Sequence, residues 1–204
     1  MEPSNFKLIL WDFDGVIIES NSVREKGFRE VLKQYPTEQV EELMDFHNAN
    51  GGWSRYVKFR YFFEEIRKEP ITEEHVNELA GQFSSIMKGL LVNPELLIAE
   101  IVTYIADMYN SGKEMHIVSG SDGNELRGLC SALKIDHYFK SINGSPTPKT
   151  QLVNDILEAS TLKGTDFCLI GDAKNDYDAA KDNGITFFGF NNPQLKGLDK
   201  YLVL

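Results

Sequence analysis

The 204-residue chain is 42% hydrophobic and 25% charged, which suits one catalytic-sized domain with a small accessory one. Its formal net charge of −10 comes with no basic stripe for tracking a phosphate backbone, so nucleic acid is excluded as an expected partner. The first apolar run is broken by Lys7 and far too short to span a bilayer, so no membrane association is expected and a soluble, cytoplasmic protein is.

Residues 6–11 form a compact apolar run ending at Asp12, the pattern of a buried strand in a parallel sheet. Residues 19–91 then read as helical, with amphipathic stretches at 23–35, 37–47, 56–68 and 72–90. Tyr35-Pro36, Asn50-Gly51-Gly52, Pro70 and Asn93-Pro94 punctuate them. From a helix at 94–109 the rhythm becomes alternating. Apolar runs at 115–118, 167–170 and 185–190 are predicted strands, and 123–133 and 150–159 are predicted helices between them. A short helix is expected at 177–184, closed by Gly184. The alternation predicts an α/β fold: a Rossmann-like, three-layer open parallel sheet with an inserted helical cap. The predicted boundaries are 1–18 and 92–204 for the core and 19–91 for the cap. Cys130 and Cys168 sit in apolar stretches without metal-ligand spacing and are expected to be buried, reduced thiols.

Asp12, Ser119 and Asp172 each lie just past a predicted strand. Open parallel sheets bind ligands beyond the carboxyl ends of their strands, so these three residues are predicted to converge. Asp12 and Asp14 place two carboxylates close enough to repel, which suggests a divalent metal or an acid/base pair; alone, the motif is equally a turn cap. Ser119-Gly120 precedes a helix start, a natural anion site, while Asp122 and Glu125 resemble a capping box. Lys149 at a helix start opposes the helix dipole, a mild conflict that hints at function. Asp176 alone reads as a helix cap.

Taken together, Asp12-Phe13-Asp14-Gly15-Val16, Ser119, Lys149 and Gly171-Asp172 with Asp176 and Ala179-Ala180 resemble the haloacid dehalogenase-like hydrolase superfamily. The resemblance covers residues 6–18 and 94–190, and the helical segment resembles the cap of its phosphoglycolate phosphatase and β-phosphoglucomutase-like branch. It implies a Mg²⁺-dependent phosphatase acting on a small phosphorylated metabolite through an aspartyl-phosphate. In that reading Asp12 is the nucleophile and Asp14 the general acid/base. Ser119 and the Gly120 N–H hold the phosphoryl oxygens, and Lys149 steadies the charge, with Lys174 as the fallback cation. Asp12, the Asp14 carbonyl and Asp172 ligate Mg²⁺, and Asp176 supports them from behind. Members of the superfamily with this Lys usually carry it before a Pro-x-Pro run, whereas Lys149 follows Pro146-Thr147-Pro148.

An acid at position 14 argues against dehalogenation. Schiff-base phosphonate cleavage departs too, since it needs another residue there and a cap lysine. Gly52-Trp53-Ser54-Arg55 resembles the substrate loop of the mutase-like members, which makes Arg55 the candidate grip for a second anionic group. Where the mutases carry a histidine acid/base this chain has Arg24, which favours phosphatase over phosphomutase, the alternative, and places Arg24 in the cleft. His47, His75, His116 and His137 share no ligand spacing and are read as structural. A phospho-receiver domain is disfavoured by motif order and by the helical insert. A monomer or weak homodimer is expected.

Overall fold

Strand β1 (Leu8–Trp11) is buried along its whole length and lies at the centre of the sheet in the computed structural model, which describes residues 1–204. The six strands run in the order β3-β2-β1-β4-β5-β6, with every neighbouring pair parallel. The others are β2 (Glu114–Asp122), β3 (Ser141–Ser145), β4 (Phe167–Gly171), β5 (Thr186–Gly189) and β6 (Lys200–Tyr201). The strand order reverses between β1 and β4, and the crevice at such a reversal is where open α/β sheets hold ligands.

Successive side chains of β1 point to opposite faces, and both faces are apolar. Ile9 and Trp11 join a large cluster with α5 (Ala99–Asn110) and α6 (Gly123–Ala132). Leu8 and Leu10 join a smaller one under α7 (Lys149–Glu158) and α8 (Lys174–Asp182). These two layers around the sheet are the expected three-layer arrangement.

Between β1 and α5 lie α1 (Asn21–Val31), α2 (Thr37–Ala49), α3 (Arg55–Tyr61), a π-helical turn (Phe62–Ile66) and α4 (Glu73–Leu90). Phe28 on α1 meets Phe59 on α3 at 5.3 Å and Phe83 on α4 at 4.5 Å, ring to ring. The larger apolar cluster runs without a break from Ile9 and Ile117 on the sheet to these aromatic residues.

Several expectations about elements change. Helix 56–68 is an α-helix only to Tyr61, beyond which the chain widens into the π turn. Ser141–Ser145, where no strand is expected, is a strand whose polar side chains are mostly half-buried at the sheet's edge. β2 runs past Ser119 to Asp122, so Ser119 lies within the strand and not after it. α8 starts at Lys174, three residues earlier than expected, because Asp176 caps from inside the first turn by accepting the Ala173 N–H at 3.0 Å. No helix is long and apolar enough to cross a membrane.

Candidate active site

Register brings the strand ends together. Trp11 pairs with Ile117 on one side and Ile170 on the other, so Asp12 and Asp172, just past their strands, and Ser119, within β2, lie at the same end of three adjacent strands. Asp12 is 2% exposed, and its N–H donates to the Ile170 carbonyl at 2.9 Å, which extends the ladder one residue past β1. The chain then turns at Gly15, with φ +75°. A Cβ there would lie 1.9 Å from the Asp172 carboxylate, so the turn can close onto Asp172 only with glycine.

Lys149 Nζ lies 2.8 Å from Asp12 Oδ1 and also donates to Asp176 Oδ1. Lys149 and Asp176 are both buried. Oxygens of Asp12, Asp172 and Asp176 all lie within 4.8 Å of one another. Burial, then repulsion from Asp176, pushes the Asp12 carboxyl up to about 7 against the pull of Lys149. Burial, then repulsion from Asp12 and Asp176, raises Asp172 well above the usual carboxylate range. Burial alone would lower the Lys149 ammonium, but Asp12 and Asp176 outweigh it and raise it. Three carboxylates against one ammonium leave a buried negative excess. An all-oxygen donor set with that charge fits a hard divalent cation such as Mg²⁺. The expected result is a melting temperature that rises about 5–10 °C in saturating Mg²⁺, with the rise lost in Asp172→Ala. A melt of wild-type protein that ignores Mg²⁺ would remove the metal from this account.

Asp14 faces the helical side. One oxygen accepts from the Ser20 hydroxyl and from Arg24 Nε at 2.6 Å, and the other from the Ser121 hydroxyl at 2.5 Å. Burial would raise this carboxyl, but Arg24 and the hydroxyls hold it below its ordinary value. Ser119 is buried and its Oγ accepts the Ser121 N–H at 3.1 Å. Gly120 sits directly beneath the 51–54 loop: a Cβ there would lie 2.1 Å from the Gly52 carbonyl oxygen, which also accepts from Asn175 Nδ2 at 2.9 Å.

Arg55 forks onto Glu125, with Nη1 to Oε2 at 2.8 Å and Nη2 to Oε1 at 2.9 Å, and Nη1 also donates to Ser84 Oγ at 2.6 Å. Arg24 Nη1 reaches the same carboxylate at 3.1 Å. Lys58 Nζ meets His47 Nδ1 at 2.8 Å and donates to the Gly51 carbonyl at 3.1 Å. All of these except Glu125 and Ser84 line one cleft of about 470 Å³, its open mouth included, together with Asp12, Asp14, Ser119, Gly120 and Asp172.

The sequence-derived residues Asp12, Asp14, Ser119, Gly120, Asp172, Arg24 and Arg55 therefore share a cleft, with Lys149 and Asp176 directly behind Asp12. Lys174 does not join them; it is exposed and pairs with Asp178 at 2.7 Å. Glu125 does not complete a capping box, since Asp122 alone accepts the Asn124 and Glu125 N–H groups while the Glu125 side chain turns to the arginines. His47 lines the cleft, unlike His75, His116 and His137. The helical segment also carries a buried cleft lysine, Lys58, so the absence of such a lysine no longer argues against phosphonate chemistry; Asp14 still does. Ser20, Ser121, Glu125 and Lys58 escaped the sequence reading.

A family model described as haloacid dehalogenase-like hydrolase matches residues 9–190. A phosphoglycolate phosphatase from Mannheimia succiniciproducens is 23% identical over 192 residues, 91% of this chain and 86% of that protein. A 5′-nucleotidase from Pseudomonas aeruginosa is 23% identical, covering 89% of this chain and 80% of its own length. Among solved structures, β-phosphoglucomutase from Clostridium difficile superposes with a TM-score of 0.77 at 17% identity, covering 98% of this chain and 91% of that one. CbbY from Rhodobacter sphaeroides in complex with xylulose-(1,5)bisphosphate gives 0.75 at 18% identity, with 97% and 93% covered.

Proposed function

The chain belongs to the haloacid dehalogenase-like hydrolase family, and on that premise we propose that it is a Mg²⁺-dependent phosphatase of small phosphorylated metabolites. Residues 1–18 and 92–204 form its catalytic core and 19–91 its cap. The observation that carries the reading is Asp12: a buried carboxylate at a central strand end, touched by Lys149 and crowded by Asp172 and Asp176.

Asp12 Oδ attacks phosphorus, the ester P–O bond breaks, and an aspartyl-phosphate forms. Asp14 supplies the proton that the leaving alkoxide needs. It then takes one from the water that attacks the intermediate, which releases inorganic phosphate and restores Asp12. To do so Asp14 must first exchange its bonds to Arg24 and Ser121 for the leaving oxygen and carry a proton. Ser119 and the Gly120 N–H hold the phosphoryl oxygens, and Lys149 offsets charge as it develops. Asp12, Asp172 and the Asp14 carbonyl, with Asp176 behind them, would hold Mg²⁺, which would lower the repulsion between carboxylate and phosphate.

The test is release of inorganic phosphate from a panel of small monoesters with and without Mg²⁺. Release that depends on the metal is expected. No release from any compound rejects the reading, and isomerised sugar phosphate without free phosphate marks the phosphomutase instead.

A further inference from the structure

The two ends of the cleft carry opposite charge imbalances. At the sheet end the carboxylates outnumber Lys149. At the cap end the cations are Arg24, Arg55 and Lys58, and the only carboxylates on them are Asp14 and Glu125. Those two acids are fully used by the arginines. Lys58 is 2% exposed, contacts His47 and the Gly51 carbonyl, and pairs with no carboxylate. Arg24 is 7% exposed, and its Nη2 has no hydrogen-bond partner. Both residues line the cleft. A buried cation without a counter-charge is costly, and so is a buried guanidinium N–H without an acceptor. An anion entering from the cleft answers both.

We propose that Lys58, with the free Nη2 of Arg24, forms a second anion subsite on the cap side, and that the substrate is a small phosphomonoester carrying a further carboxylate or phosphate. The inference rests on the phosphatase reading for which end takes the scissile group. It also moves the grip on the distal group from Arg55, already paired with the Glu125 carboxylate and Ser84, to Lys58. His47 is a positioning residue. Burial, with Lys58 and Arg24 nearby, lowers its imidazole to about 3, so Nδ1 accepts from the lysine and aims it. Burial and then Arg24 lower Lys58 itself to about 7, the mark of an ammonium that lacks its anion.

Non-hydrolysable ligands read the subsite without turnover. Calorimetry in Mg²⁺ compares phosphonoacetate, which ends in a carboxylate, and ethylene-1,2-diphosphonate, which ends in a second phosphonate, with propylphosphonate, which has a neutral tail. Wild-type protein is expected to bind one of the two-anion ligands about 10–100-fold more tightly than propylphosphonate, the range of a charge-assisted hydrogen bond; which one identifies the distal group. Lys58→Met should erase that preference, and Lys58→Arg should restore part of it. Equal binding of all three ligands by wild-type protein, or a preference that survives in Lys58→Met, overturns the proposal. Phosphate release is scored separately. A chain that shows the preference but never releases phosphate loses the phosphatase reading and keeps the subsite.

Discussion

Asp12→Asn is expected to reduce phosphate release by at least about a thousandfold while leaving the fold intact. An amide oxygen is too weak a nucleophile to open the ester. The variant should not melt below wild-type protein when both are free of metal. Asp12 is a buried carboxylate whose neighbours Asp176 and Asp172 repel it, so a neutral isostere relieves strain that only Lys149 now offsets. Lys149 keeps its bond to Asp176 in the variant. Phosphate assays beside circular-dichroism melts separate the two effects. Wild-type turnover in Asp12→Asn removes it as nucleophile; a cooperative fold lost along with activity would leave a structural role instead.

Glu125→Ala should be the most damaging single change outside the catalytic carboxylates. Its side chain is 5% exposed and is shared by Arg24 and Arg55, whose side chains are 8% and 3% exposed. Removing it leaves two buried guanidinium groups short of a counter-charge. Broken buried pairs cost about 3–5 kcal/mol, and for a chain of this size each kcal/mol moves the midpoint about 2–4 °C. A fall on the order of 10 °C is expected. Glu125→Gln should fall less, because it keeps an acceptor. Combining Glu125→Ala with Arg55→Met should recover part of the loss, since the second change removes a stranded charge. Thermal melts of the three variants settle it. A Glu125→Ala midpoint within about 1 °C of wild type would show that the arginines find other partners.

What sequence makes visible here follows from which features leave a local pattern. β1, β2, β4 and β5 announce themselves as apolar runs because both their faces are covered. β3 is an edge strand, with half-buried polar residues such as Asn143, and it has no such run. Lys149 could be singled out because a cation at a helix start opposes the dipole; burial then separates it from exposed Lys174. Glu125 was hidden by a genuine regularity, since a Glu three residues after an Asp at a helix start is the capping-box pattern. Asp122 satisfies two N–H groups by itself, which frees Glu125 to reach across to the cap. His47 and Lys58 sit on α2 and α3 with the Gly51-Gly52 turn between them. No helical period links residues on separate helices, so only the folded chain shows that they meet.

The apolar cluster that passes unbroken from the sheet into the aromatic residues of α1, α3 and α4 bears on how such a chain can diversify. A module with a sealed core of its own can be exchanged whole, by recombination, without harm to its host. Here an exchanged insert would have to reproduce the packing of Phe28, Phe59 and Phe83 and also the apolar continuity back to the sheet. Swapping cassettes is thus closed to this architecture unless both sides change together. On the proposed function, new substrate preferences are reached instead one side chain at a time, at cleft-lining positions such as 24, 55 and 58.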